Sequence, residues 1–247
     1  MQQILHASSA ADEQFFHFVS GQKVACPYLP GLTAQELVTR APMTQKCSDR
    51  FIQAGYRRFG QLMYRPVCHA CNACQSLRVD VSNFCWKRRW RKILARNADL
   101  VRGDCGVGFH DEHQHLFADY VMRRHGYSGS VRLLSGRIRE LLSSPSDYVT
   151  LFEWRSPDRR LRCAMIAEEL DSGWSAIYAF RDLGQAHRSL GSFMILDLII
   201  RSFDQNLPYC YLGYHIAGAP RSDYKCRFQP FELFKNGCWQ KTDASSI

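Results

Sequence analysis

Three runs that favour strands, YVTLFEW (148–154), RCAMIAEEL (162–170) and WSAIYAF (174–180), follow one another with only SPDRR and DSG between them. Gaps that short leave room for tight turns and for little else, so the runs read as successive antiparallel strands. A longer apolar stretch from Ser189 to Gln205 comes next and reads as a helix. YCYLGY (209–214) returns to the strand pattern, and FELFKNGCWQK (231–241) reads as a hairpin turning at Asn236-Gly237. Upstream, DEHQHLFADYVMRRHG (111–126) has acids at its start, bases at its end and then glycine, which is the charge order a helix favours. VRLLSGRIRELLSS (131–144) reads as a further helix. Helices, a strand meander, a helix and more strands predict an α+β fold with a mostly antiparallel sheet.

The first hundred residues are less regular. CPYLPGL (26–32) is turn-rich, while TAQELVTR (33–40) and KCSDRFIQAGYRR (46–58) suit short helices, the second ending near Gly55. In SLRVDVSNF (76–84), Leu77, Val79 and Val81 alternate with Arg78, Asp80 and Ser82, the period of a half-buried strand. RGDCGVG (102–108) holds three glycines and suggests a boundary between an N-terminal domain, 1–104, and a C-terminal one, 105–247.

Composition narrows the function. A chain with 46% hydrophobic and 13% aromatic residues has the means to build a core and is not disordered. The formal charge of +9 points to an anionic partner, nucleic acid or an acidic membrane surface, with a merely soluble basic protein as the bland alternative. The N-terminus lacks the basic start and apolar run of a signal peptide. GSFMILDLII (191–200) is too short to span a bilayer and carries Asp197. Eleven cysteines without a secretion signal suggest a reducing compartment and argue against a disulfide framework.

Cys68, Cys71 and Cys74 stand at CxxCxxC spacing in RPVCHACNACQSLRV (65–79). Closely spaced thiolates suit zinc or an iron–sulfur cluster, and three in series need a fourth ligand. Cys26, beside Pro27 in another turn, is the first candidate and His69 the second. Three reduced thiols without metal are the alternative.

WKRRWRKILARNADLVR (86–102) interleaves Lys87, Arg88, Arg89, Arg91 and Lys92 with Trp86 and Trp90. As a helix it puts Trp86, Trp90, Ile93 and Leu94 on one face, with the cations left to meet RNA phosphates. Arg57 and Arg58 add to that basic set. YLGYHIAGAPRSDYKCRFQP (211–230) supplies Tyr211, Tyr214, Tyr224, Lys225 and Arg227, a combination that suits a small anionic group such as a carboxylate. In YAFRDLGQAHRSLGSF (178–193), Ser189 and Gly191 stand at a helix start, where free N–H groups hold anions or where Ser189 simply caps. Asp182 is a loop carboxylate or a turn former.

Taken together, CPYLPG, AGYRRFGQLMYRPVCHACNACQSLRV, YAFRD with SLGSF, and YLGYHI with YKCRF resemble, in order, the bacterial aspartate/glutamate leucyltransferases. These are relatives of the arginyl-tRNA–protein transferases, and the resemblance covers most of the chain. It implies a cytoplasmic enzyme with an acetyltransferase-like C-terminal half. The enzyme would move leucine from leucyl-tRNA to a protein's N-terminal Asp or Glu and so mark it for proteolysis. The partners would be tRNA and protein, with no membrane and no DNA. No cofactor is needed for the chemistry, because the ester is already activated. Relatives have been linked to an iron–sulfur cluster at the cysteine motif. Reasoned from the transfer chemistry, Asp182 would accept a proton or orient the amine, and Ser189–Gly191 would serve the donor ester or ribose. Lys225 and Arg227 would recognise the acceptor's acid, and Tyr178, Tyr211, Tyr214 and Tyr224 would shape the pocket. Leu183, Ser76 and the GAPRSDYK loop depart from the family's usual residues. Arginyl transfer, a non-catalytic RNA-binding protein with a metal, and an acyl-CoA acetyltransferase are the competing readings.

Overall fold

The computed structural model describes residues 16–42, 44–105, 108–126, 136, 139–140 and 147–242. Its centre is the expected meander, β9 (Val149–Arg155), β10 (Leu161–Leu170) and β11 (Gly173–Arg181), each antiparallel to the next. β8 (Val101–Asp104) extends the sheet beyond β9. On the other side follow β12 (Tyr209–Ile216), β7 (Cys74–Asp80), β13 (Phe231–Lys235) and β14 (Cys238–Lys241). The eight-stranded order is β14-β13-β7-β12-β11-β10-β9-β8. Every neighbour pair is antiparallel except β11–β12, which are parallel and joined through helix α4 (Leu190–Asp204). The β13–β14 hairpin turns at Asn236 and Gly237, with φ of 52° and 82°.

Helices cover both faces of the sheet. On one face α4 buries Met194, Leu196 and Ile199 completely against Phe152, Trp154, Met165 and Trp174. Helix α2 (Arg88–Arg96) joins this core through Trp90, which is 2% exposed and stacks on Phe228 with ring centroids 4.6 Å apart. On the other face lie α3 (Asp111–His125), closed by left-handed Gly126, and α1 (Gln45–Gln53). α1 stops at Ala54 before Gly55. All but Gly136, Arg139 and Glu140 of the helix expected over 131–144 lie outside the described residues.

Three local expectations change. TAQELVTR is not a helix: it supplies the end of a two-stranded ribbon and β4 (Glu36–Arg40), paired with β6 (Leu62–Pro66). Its helix-compatible composition yields to pairing that buries Thr39 to 3% exposure. β7 is not half-buried, because Ser76, Leu77, Arg78 and Val79 are all inside. Arg78 is tolerated there because Nε donates to Glu232 Oε2 at 2.8 Å and the guanidinium lies 3.6 Å from the centre of the Tyr209 ring. Trp86 precedes α2 rather than lying on its apolar face, and is 39% exposed.

The large sheet also crosses the division expected at 104/105. β7 and β8 precede that point, yet β7 sits between β13 and β12 and β8 borders β9. Arg58 ties the two segments further. It is fully buried against Glu168 of β10, with Nε and Oε2 2.7 Å apart, and it also donates to the Tyr148 hydroxyl at 2.8 Å.

Candidate active site

β11 and β12 share register only from Gly173–Ser175 against Tyr209–Tyr211. Beyond that both strands are irregular. β11 shifts against β10 where Ile166 gives way to Ala167, and β12 shifts against β7 between Tyr211 and Gly213. The parallel strands therefore part, and a side chain from the N-terminal segment enters the gap. Arg57 of β5 (Arg57–Phe59) donates from Nη1 to Ser175 Oγ at 3.2 Å and from Nη2 to the Ala176 carbonyl. Gly213 makes this possible twice over. Its φ is +80°, and a Cβ there would stand 3.2 Å from Arg57 Nη2.

Beside Arg57 stands Lys225, on the 3-10 turn Asp223–Arg227. Its Nζ donates to the Tyr214 carbonyl at 2.6 Å. Burial, reinforced by the Arg57 charge, brings the ammonium down to about 7. The Tyr214 hydroxyl donates to the Gly55 and Tyr64 carbonyls at 3.1 and 3.2 Å. Burial raises the phenols of Tyr64, to about 12, and of Tyr214, so both stay neutral. Tyr224 is 39% exposed, but burial of its hydroxyl end and then Tyr120 raise its phenol, against the pull of Arg181, Arg124 and Arg57. Among the described residues, the hydrogen bonds of Arg57 and Lys225 end on carbonyl or hydroxyl oxygens and none on a carboxylate.

The start of α4 meets the end of β11, where Arg181 packs on Gly191. Ser189 has φ 55° and ψ 43° and makes no side-chain cap; its carbonyl accepts from Ser192 and Phe193. Gly191 allows Arg181 to approach, since a Cβ would lie 3.2 Å from its Nη1. Arg181 Nη1 donates to the Tyr120 hydroxyl at 3.3 Å. Neither Arg181 nor Tyr120 was among the sequence candidates. Arg181 is legible only as the residue before Asp182, and Tyr120 as one more helix residue. Asp182 Oδ1 accepts from the Gly184 amide at 2.8 Å and Oδ2 from Arg162 at 3.1 Å, so the carboxylate builds the turn before Ser189.

The remaining candidates are dispersed. Tyr178 packs on Phe117 of α3, with ring centroids 5.5 Å apart. Tyr211 lies in the paired part of β12, 1% exposed, its hydroxyl 2.8 Å from Ser172 Oγ. Arg227 is exposed, and its backbone carbonyl accepts from Arg89 of α2 at 2.6 Å. Arg57 and Arg58 are buried, at 6% and 3% exposure, so neither belongs to an exposed phosphate-binding surface. Lys87, Arg88, Arg89, Arg91 and Lys92 are all exposed. The C-terminal end of α2 grips the loop that enters α4: Arg96 donates to the His187 carbonyl and Asn97 to that of Arg188.

Cys26, Cys68, Cys71 and Cys74 line one cavity of about 390 Å³ together with Tyr28, Glu36 and Lys235. Burial and then the neighbouring Cys68, Cys26 and Cys71 push the Cys74 thiol up to about 11. The Leu29 amide donates to Cys26 Sγ at 3.4 Å. Four sulfurs lining one cavity are the donor chemistry that soft or borderline cations take. Among the described residues, Cys105, His113 and Glu153 bring their ligand atoms within 4.8 Å of one another, but Arg155 already holds both Glu153 oxygens, at 2.7 and 3.0 Å.

Comparison with known proteins gives these features a lineage. The family described as arginine-tRNA-protein transferase, N terminus, matches residues 24–92, and its C-terminus counterpart matches residues 112–235. The aspartate/glutamate leucyltransferase of Maricaulis maris is 35% identical over 218 residues, 87% of this chain and 85% of that protein. That of Parvibaculum lavamentivorans is 36% identical over 222 residues, 89% and 92%. A solved N-acetyltransferase region of a fungal β-N-acetylglucosaminidase is similar at 8% identity and TM-score 0.41, covering 69% of this chain and 20% of that one. With both halves matched in order and relatives aligned over most of their length, the chain belongs to the arginyl-tRNA–protein transferase family, among the bacterial aspartate/glutamate leucyltransferases.

Proposed function

We propose that this protein transfers leucine from leucyl-tRNA to the α-amine of proteins that begin with Asp or Glu. The observation that carries the reading is the pair of basic side chains Arg57 and Lys225, whose hydrogen bonds end on no carboxylate among the described residues, set where β11 and β12 part. An acidic side chain supplies the missing charge. The donor is an ester, so the reaction needs two substrates held together, a neutral amine and a stabilised oxyanion. The amine nitrogen attacks the ester carbonyl, a C–N bond forms, the C–O bond to the terminal ribose breaks, and the ribose oxygen takes a proton. Backbone N–H groups at the start of α4 face anions by geometry and dipole, and suit the oxyanion or the ribose. Asp182 and Arg162 position that turn. The exposed cations of α2, which clasps the same loop, suit the tRNA phosphates.

Cys26, Cys68, Cys71 and Cys74 would hold zinc or an iron–sulfur cluster. Such a group would supply cross-linking or redox sensitivity and takes no part in acyl transfer. The partners of this reading place the protein in the cytoplasm, where charged tRNA is found.

The test is transfer of labelled leucine from leucyl-tRNA to peptides beginning with Asp, Glu or Ala, with arginyl-tRNA as a second donor. Leucine on the Asp and Glu peptides alone is expected. Transfer of arginine in preference to leucine would establish the arginyl alternative, and no transfer from either donor would end the reading. An absorbance spectrum of anaerobically purified protein, with metal analysis, separates cluster, zinc and bare thiols.

A further inference from the structure

Two basic side chains meet at the site, and they are not the expected pair. Arg227 is exposed, its backbone carbonyl bonded by Arg89 of α2, whereas Arg57, from a strand far away in sequence, lies against Gly213 while Lys225 bonds the carbonyl of the next residue, Tyr214. Arg57 is 6% exposed and fixed by Ser175, Ala176 and the flat face of Gly213. Lys225 is on a short turn and only partly enclosed. A rigid planar fork beside a primary amine held by the Tyr214 carbonyl divides naturally into an anchor and a proton carrier.

We propose that Arg57 is the specificity-determining anchor for the side-chain carboxylate of the incoming Asp or Glu, and that Lys225 takes the proton the acceptor's α-ammonium must lose. This rests on the leucyl-transfer reading above. In Asp or Glu the α-nitrogen and the side-chain carboxylate are separated by only a few bonds, so one site spans both.

The step balances. Neutral Lys225 Nζ accepts one proton from the α-ammonium and becomes an ammonium beside the bound carboxylate. The freed amine forms the C–N bond as the ester C–O bond breaks. Its second proton passes to the ribose oxygen, and Lys225 releases its proton to solvent before the next turnover. Acidic acceptors are favoured twice, since the carboxylate binds Arg57 and stabilises the charge that Lys225 acquires.

The surroundings of Lys225 agree with a neutral resting state. Arg57 faces it from β5, and Tyr214 and His215 from β12; Tyr64 of β6 faces Tyr214. On its own turn are Tyr224, Cys226 and Asp223, of which Asp223 lies 4.0 Å from His215 Nδ1. The phenols and the Cys226 thiol are neutral, and burial holds His215 neutral.

The experiment compares wild type, Arg57→Gln and Arg57→Lys in leucine transfer to Asp- and Asn-initiated peptides across pH 6–9. Thermal melting verifies the fold of each variant. Wild-type kcat/KM on the Asp peptide is expected to rise with pH through about 7. Arg57→Gln should move that rise to higher pH, because it removes the second of the two causes that lower Lys225 while burial remains. It should also cut the Asp-over-Asn preference by roughly 30-fold or more. Arg57→Lys keeps the charge and should retain part of both effects. If Arg57→Gln folds and keeps both the preference and the wild-type pH limb, the proposal is overturned. If it does not fold, selective ¹⁵N-lysine titration of wild type decides. Lys225 should titrate near 7 alone and distinctly higher with saturating Asp peptide, and an unchanged titration overturns the proton role. Wild type that moves no leucine at all removes the underlying reading instead, which keeps the two failures apart.

Discussion

Lys225 links stability to pH with a definite sign. Its value falls from an ordinary lysine's to about 7 on folding, through burial and then Arg57. Between about 7 and the ordinary lysine value near ~10.4 the unfolded chain binds the extra proton, so stability rises with pH across that window. Lys225→Met is expected to raise Tm at pH 6, with a gain that shrinks toward pH 10; thermal melts at both pH values measure it. A gain independent of pH would contradict the assignment. Lys225 was visible in the sequence as a lysine in an aromatic, glycine-rich loop. Its partner was not. Arg57 and Arg58 are adjacent arginines that look alike in sequence. Strand alternation sends one to the β11–β12 gap and the other to Glu168.

At the level of elements, helix α2 serves two purposes that its pattern displayed only in part. Trp90, Ile93, Leu94 and Asn97 recur at helical spacing and face the core and α4, which leaves the cations outward. Among the described residues no side-chain hydrogen bond or ion pair engages Arg88, Arg91 or Lys92, and Arg91 bonds only through its backbone. Replacing these three with Gln should leave the fold intact and weaken tRNA binding. The slope of log Kobs against log salt should become shallower by about 2–3 units. Filter binding at several salt concentrations measures this, and an unchanged slope places the tRNA elsewhere. The element-level misreadings share a cause. TAQELVTR forms strand because β6 offers a partner, and β7 is covered on both faces because Arg78 finds Glu232 and an aromatic face. Neither partner is near in sequence.

On the scale of the whole molecule, the two segments recognised by separate family descriptions are built into one sheet. Residues 105–247 expressed alone lack β7, and β12 and β13 would lose the strand that lies between them. That fragment is expected to show no cooperative melt and no dispersed NMR spectrum, whereas the full chain shows both. A well-folded fragment would show that β7 is dispensable.

The sequence by itself determined the meander, its turns, α4, the β13–β14 hairpin and the family, because each is written in short-range spacing or in contiguous motifs. It also marked the cysteine motif and Lys225. Only the tertiary structure decided which cations share a site. Two strand irregularities and a left-handed glycine open a gap between parallel strands, and a buried arginine from an earlier strand fills it. The physical reason is that register shifts and charge pairing are settled between distant segments, where local propensity carries no information.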